Sequence, residues 1–309
     1  MSSRCIVVGL GVQGAKRLRV AGADCVGTVD PFVAAATWRS LNSVPLDAYD
    51  AALLCVPDAP KAELVEYLVA HGKHALVEKP FAVPGGAAFD RIEAQARRTR
   101  AVVYSAYNHR FEPGFAALRA VLAEGRLGRI YHCRVFYGNG TARLVRESGW
   151  RDAGAGVLPD LGSHLLDALR FWFGDVADDF RVVQASRFEN KAPDRVQLAG
   201  GGGTGPTFDL DMTLLSWRNH FTCDVFAEHG SAHLSSLCKW GESSLTVRTR
   251  VLPAGRPEQA VTVWPEGDPT WAAEYAHFKA LCAARPPADL SGDRWLHAVL
   301  SRLSAGVAA

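Results

Sequence analysis

The chain carries no surplus of charge: 34 Lys and Arg stand against 32 Asp and Glu, a formal net charge of +2 at pH 7. So small an excess gives no reason to expect nucleic-acid binding, which usually shows a clustered basic face. It also has no C-x-x-C and no Cys/His grouping at zinc-ligand spacing. The seven cysteines (Cys5, Cys25, Cys55, Cys133, Cys223, Cys238 and Cys282) are odd in number and scattered. That excludes a disulfide framework and a metal site of the zinc-finger kind. Most lie in apolar runs such as CIVVG and ALLCV, where a free thiol behaves as a small hydrophobe. No apolar run approaches the ~18 residues of a membrane span, and MSSRCIVVGLG is followed by no signal-peptide cleavage pattern. A reduced, cytoplasmic setting with no membrane partner is expected. Internal repeats and low-complexity linkers are missing as well.

What is present is ordinary globular composition, 48% hydrophobic and 21% charged over 309 residues. That length suits about two domains and a large buried core. The first hundred residues alternate short apolar runs (Cys5–Val8, Asp24–Val29, Ala51–Val56, Ala75–Val77, Ala101–Tyr104) with stretches of helical length, notably Ala59–His71 and Gly86–Arg98. Continuous apolar strands separated by helices predict a parallel sheet covered on both faces. Beyond Asn108 the texture changes. A helix over Phe115–Glu124 precedes Ile130–Tyr137, which alternates in the antiparallel manner, and a Gly-rich segment leads into an apolar helix at Ser163–Phe173. Further β-like runs follow at Phe180–Phe188, Phe208–Leu215, Phe221–Glu228 and Ser243–Leu252, with Gly200–Gly205 reading as a hairpin loop because no helix follows it. Trp271–Ala283 and Asp293–Ala305 return to helix. The expected fold class is α/β: a dinucleotide-binding Rossmann domain over 1–107, then an α+β domain over 108–309 with a large, mostly antiparallel, open-faced sheet. The pattern leaves open that the C-terminal helices, about 270–305, pack back on the first domain.

The first strand runs into GLGVQG, with Gly9, Gly11 and Gly14 at the G-x-G-x-x-G positions and Val12 and Gln13 between. The first glycine permits the tight turn, the second lets a pyrophosphate approach the backbone, and the third lets helix and strand pack closely. Phosphate oxygens then meet the positive helix N-terminus. Asp30 ends the second strand (CVGTVD), where a carboxylate takes the ribose hydroxyls. A carboxylate there repels a 2′-phosphate, and Pro31 and Phe32 bring no compensating cation, so NAD(H) is expected in preference to NADP(H). The alternative is that Asp30 only caps the turn before Pro31.

Two further patches bear chemistry. In HALVEKPF, Glu78, Lys79 and Pro80 follow a buried strand, and the ligand crevice of an open parallel sheet lies at the carboxyl ends of its strands. Taken by itself, a lysine after a strand is more often a solvated surface residue. In GAGVLPDLGSHLLDALRFWFG, Asp160, His164 and Asp167 fall at i, i+4 and i+7, one stripe of a helix. A carboxylate one turn before a histidine orients the imidazole and stabilises its protonated form. A solvated polar face with Asp160 as a cap is the plain alternative.

GLGVQG, VDP, YDAALLCVPDAPKAELVEYLVAHGKHALVEKPFA, YNHRFEP and GAGVLPDLGSHLLD, in that order over the first 170 residues or so, resemble the Gfo/Idh/MocA family of oxidoreductases. The pairing of the EKP patch with D-x-G-x-H carries the specificity. The resemblance implies NAD(P)-dependent hydride transfer to or from a carbinol carbon of a sugar, cyclitol or nucleotide sugar. It also implies a homodimer or homotetramer formed through the C-terminal sheet. By position it makes Lys79, Asp160 and His164 catalytic, has Glu78 and Pro80 shape the nicotinamide pocket, and sets Pro57 beneath the cofactor. His164 is the favoured proton acceptor, with Lys79 as the alternative. Asn108, Arg110, Tyr137, Trp150 and Arg151 are candidates for lining the substrate pocket, with purely structural roles as the alternative. The chain departs from the family at Lys61, where histidine is usual, which is expected to alter a cofactor or substrate contact, and at Ala106, where glycine often precedes the tyrosine. It is also short for the family, so a trimmed substrate loop is expected. Two other readings stay open: a non-catalytic NAD(H)-binding sensor or regulator, and a reductase of a non-sugar imine or enone.

Overall fold

The computed structural model describes residues 4–149 and 151–308, which fall into two compact units. The first takes the chain up to Asn108 together with Thr270–His297. The second takes His109–Pro269 together with the chain from Ala298.

In the first unit, strands β1 (Cys5–Val8), β2 (Cys25–Val29), β3 (Ala51–Leu54), β4 (His74–Glu78) and β5 (Val103–Ala106) form a sheet of order β2-β1-β3-β4-β5, parallel throughout. Parallel neighbours need crossovers, supplied by α1 (Val12–Ala21), α2 (Asp58–Ala70) and α3 (Gly86–Thr99). Strands β1 and β3 are buried along their whole length, which is why they read as unbroken apolar runs. Ile6, Val8, Leu54 and Val77 pack with Val65, Leu68, Phe89 and Ile92 from the helices. The strand order reverses at β1 and β3, so the topological switch point lies at their carboxyl ends, where this fold takes its ligand.

The second unit holds an eight-stranded sheet of order β13-β12-β11-β10-β6-β9-β8-β7. Its strands are β6 (Ile130–Gly138), β7 (Arg181–Ser186), β8 (Arg195–Gly201), β9 (Thr207–Thr213), β10 (His220–Ala227), β11 (Gly230–Ser235), β12 (Ser243–Val251) and β13 (Gly255–Trp264). All named pairs are antiparallel except β6 with β9. Helices α4 (Pro113–Ala123) and α6 (Ser163–Phe173) pack together, with the Phe115 ring 4.6 Å from Trp172 and 5.1 Å from Phe221 of β10. A short helix, α5 (Ala142–Arg146), follows β6; α7 (Thr270–Ala284) belongs to the first unit, and α8 (Ser291–Ala308) ends the described chain. The Gly200–Gly205 tract makes the β8–β9 hairpin, as its composition suggested.

Candidate active site

The fingerprint loop shows why its glycines are there. Gly9 sits at φ 89°, and a Cβ on it would run into the carbonyl of Cys55. A Cβ on Gly14 would strike the carbonyl oxygen of Gly9, so this glycine is what lets α1 lie against the first strand. Gly11 differs: nothing lies within 4 Å of where its Cβ would stand. It is the N-cap of α1, beside Val12 and Gln13 in the first turn, so open space meets the positive end of a helix. That cradle fits a dinucleotide pyrophosphate. Pro57 is the N-cap residue of α2, in the short link that follows β3.

Asp30 is nearly buried, and its carboxylate accepts three backbone N–H groups: Leu10 (2.8 Å), Phe32 (2.8 Å) and Val33 (3.0 Å). Burial pushes the carboxyl up, but these three donors, with the charge of Arg39 adding to them, outweigh it and hold the group below its ordinary range. The turn-capping role weighed from sequence is therefore real, and the same contacts fix a full negative charge at the end of β2.

The EKP turn is clamped by two buried cations. Arg17 of α1 is 1% exposed; its guanidinium meets Glu78 at 2.7 Å and Glu274 of α7, itself 0% exposed, at 2.7 Å, and lies 4.4 Å from the Trp271 ring. Burial pulls this guanidinium down, and the two carboxylates outweigh that and raise it. Glu78 is thus held by ion pairing as well as by its place as the last residue of β4, one position later in the strand than its sequence suggested. Lys61, 2% exposed, donates to Asp58 at 2.7 Å and to the carbonyl of Pro80 at 2.7 Å, an oxygen that also accepts the Ala82 N–H at 2.9 Å. The departure at Lys61 therefore bears on the backbone of the turn that carries Lys79. Breaking a buried ion pair by removing one partner costs about 3–5 kcal/mol, because the other charge stays buried. Arg17→Met is expected to destabilise the chain by that amount in urea unfolding, whereas a loss below about 1 kcal/mol would show the pair to be solvated.

In the second unit, Asp160 lies in a π-helical turn (Leu158–Gly162) that runs directly into α6, where His164 is the second residue. The regular i, i+4, i+7 stripe read from sequence is therefore interrupted. Pro159 has no N–H for a regular ladder, and Gly162 packs so closely on Met212 of β9 that a Cβ would come within 2.9 Å of its sulfur. Asp160 pairs with Arg151 at 3.3 Å, both half-buried. His164 is 8% exposed and stacks on His109, ring centroids 4.0 Å apart at 23°. Tyr137 of β6 meets His109 at 5.5 Å and His164 at 6.1 Å. Burial, with Asp160 and Glu112 adding to it, pushes the Tyr137 phenol up.

The remaining sequence candidates divide. Arg110 makes a two-pronged pair with Asp167, with Nε at 2.9 Å from Oδ2, which gives both residues a structural role. Burial pushes the Asp167 carboxyl up against the pull of Arg110. Asn108 donates to the Thr270 hydroxyl at 2.8 Å within the first unit. Tyr137 and Arg151 stand with the Asp160/His164 group, and Trp150 lies outside the described residues. Sequence reasoning missed His109 and Lys239, whose Nζ is 3.1 Å from Nε2 of His109. His109 was within reach, standing between two named candidates in YNHRFEP; Lys239 sits in no motif.

Residues 3–107 match the oxidoreductase family with an NAD-binding Rossmann fold, and residues 115–233 match the GFO/IDH/MocA C-terminal domain. The chain is 30% identical over 189 residues to trans-1,2-dihydrobenzene-1,2-diol dehydrogenase of Oryctolagus cuniculus, covering 60% of this chain and 55% of the relative. It spans about half the length of the dihydrodiol dehydrogenases it matches. To the "Putative UDP-kanosamine synthase oxidoreductase subunit" of Amycolatopsis mediterranei it is 31% identical over 312 residues, covering 87% of this chain and 82% of that one. An Agrobacterium radiobacter oxidoreductase solved with NAD+, L-tartaric acid and magnesium superposes with a TM-score of 0.82 over 100% of this chain and 97% of its own, a likeness of fold at 17% identity. Among the described residues no helix is long and apolar enough to cross a membrane. On the two domain matches and the near full-length relative, this chain belongs to the Gfo/Idh/MocA family of oxidoreductases.

Proposed function

We propose that the chain is a dehydrogenase or reductase that exchanges hydride between NAD(H) and a carbinol or ketone carbon of a sugar, cyclitol or nucleotide sugar. The observation that carries this is the presence in one chain of Lys79 on the clamped EKP turn and of His164 held in a fixed ring plane one turn after a carboxylate. The names of the relatives, a trans-1,2-dihydrobenzene-1,2-diol dehydrogenase and a putative UDP-kanosamine synthase oxidoreductase subunit, support a ring alcohol as substrate.

The nicotinamide, when bound, supplies or takes the hydride. Val12, Gln13 and the three glycines would cradle the dinucleotide's pyrophosphate, Pro57 would lie beneath the cofactor, and Glu78 at the end of β4 with Pro80 in the turn after it would shape the nicotinamide pocket. In the oxidation direction Lys79 donates a hydrogen bond to the substrate oxygen and stabilises the charge developing there. His164 accepts the hydroxyl proton, and Asp160 favours the imidazolium that results. Copies associate through the eight-stranded sheet, where Tyr131, Val183, Phe226, Val261 and Val263 remain exposed.

A panel of sugars, cyclitols and nucleotide sugars scored for NADH production tests the reading. Turnover of a ring alcohol is expected. If the whole panel is inert and the full chain retains a protein partner, the regulatory reading replaces this one. Cofactor choice is measured separately: NADH is expected to bind more tightly than NADPH, because the fixed charge of Asp30 meets a 2′-phosphate with like sign. Asp30→Asn keeps an acceptor for the turn and is expected to narrow the preference. Equal or tighter NADPH binding by the native chain would overturn the assignment.

A further inference from the structure

His109 is 3% exposed, in a short 3-10 turn (Asn108–Phe111). Its ring is enclosed by His164 at 4.0 Å, Tyr137 at 5.5 Å and Phe115 at 5.9 Å. Of its two ring nitrogens, Nε2 lies 3.1 Å from the Lys239 ammonium, which also sits 4.6 Å from the Trp240 ring. An ammonium has three protons to donate and no acceptor, so Nε2 must accept. Lysine ordinarily holds its proton about four pH units above imidazole, so within this pair the proton stays on nitrogen Nζ.

The two residues are brought together by one anchor. Glu112, just after the turn of His109, accepts the backbone N–H of Cys238 at 3.0 Å, beside Lys239. Trp240 N–H closes that loop on the carbonyl of Leu237 at 2.9 Å, and the Trp240 ring meets Tyr137 at 5.6 Å. Among the described residues of this unit, the charged or titratable groups around the stack include Lys239, Glu112, Tyr137, Asp160 with its partner Arg151, and Asp268.

We propose that His109 and Lys239 are positioning residues for His164: Lys239 fixes His109 as a neutral ring protonated on Nδ1, and that ring sets the plane of His164. The proposal rests on the reading of His164 as proton acceptor given above. Two imidazolium rings stacked at 4.0 Å would repel strongly in a buried setting. With His109 held neutral, His164 is the member of the stack that changes charge when a proton moves.

Long-range proton–nitrogen spectra of the full chain with 15N-labelled histidine, free of substrate, test the first half. His109, assigned by its loss in His109→Phe, is expected as the Nδ1–H tautomer throughout the neutral range. In Lys239→Met it is expected to titrate. An Nε2–H tautomer, or a Lys239→Met spectrum identical to the native one, overturns the proposal.

Kinetics with the panel alcohol turned over fastest test the second half. His109→Ala is expected to lower kcat by about 10²-fold with KM nearly unchanged, as a misplaced catalytic group does. His109→Phe, which keeps a flat ring in the stack, is expected to recover most of the rate. Equal losses in the two variants, or none, overturn the proposal. His164→Ala separates the failures. If it is impaired while His109→Ala is not, the positioning inference falls alone; if it has the native rate, the reading of His164 falls with it.

Discussion

Lys79→Ala is expected to remove about 10³-fold of turnover while NADH affinity stays within a few-fold. The lysine follows β4 at the carboxyl edge of the parallel sheet, on a turn whose backbone is fixed from both sides, by Arg17 through Glu78 and by Lys61 through the Pro80 carbonyl. Deleting the Lys79 side chain leaves those contacts in place. The proposed role is on the substrate oxygen, where charge develops in the transition state, and a single preorganised donor at such a position is worth about 10²–10³-fold. Loss of the cation as well as the donor places the expectation at the upper end. Rates by steady-state assay and NADH affinity by fluorescence titration check it together. A native rate would take Lys79 out of the chemistry, and a parallel collapse of NADH binding would move its role to the cofactor.

His164→Ala is expected to cost about 10²–10⁴-fold in kcat, the usual range for a general acid–base group. Asp160→Asn is expected to fall toward the lower end of that range. Its neighbour Arg151, at 3.3 Å, then faces a neutral amide, so a positive charge is left in place of an ion pair and the imidazolium is disfavoured. Because the carboxylate acts through the ring, the double variant is expected to be little worse than His164→Ala alone. Multiplicative losses would show two independent roles. A native rate in His164→Ala would leave Lys79 as the acid–base group.

What the sequence disclosed follows the range of the signal. The first unit is built from contiguous signals: CIVV and AALL are buried strands because every residue faces core, and GLGVQG lies between strand and helix. The second unit is less legible in its sequence. Strands β8, β11 and β13 went unseen: β8 is short of apolar residues beyond Val196 and Leu198 and ends in glycines, and β11 (GSAHLS) is short and made largely of small residues. Strand β13 lies exposed at the sheet edge, so its GRPEQ start shows no inward face. The π-helical turn was equally hidden, since the i, i+4 spacing of Asp160 and His164 presumes a regular helix. At the site, Arg17 with Glu274 and His109 with Lys239 are pairings between residues far apart in the chain, and no local spacing announces them. Each was recoverable only once topology brought the partners together.

The parallel pairing of β6 with β9 has a consequence for how the proposed base becomes ordered. A parallel pair cannot be closed by a hairpin, so everything from Asn139 to Pro206 must be threaded as one crossover before the two strands meet. Arg151, Asp160 and His164 all lie inside that crossover, and Gly162 packs its turn directly onto Met212 of β9. Closing so long a loop carries an entropy cost that is recovered only when the distant strands pair, which makes such contacts late and mutually dependent. The proposed base and its neighbours Arg151 and Asp160 are therefore not an appendage that can form early or fray alone. Their order and the closure of the sheet's centre are one cooperative event.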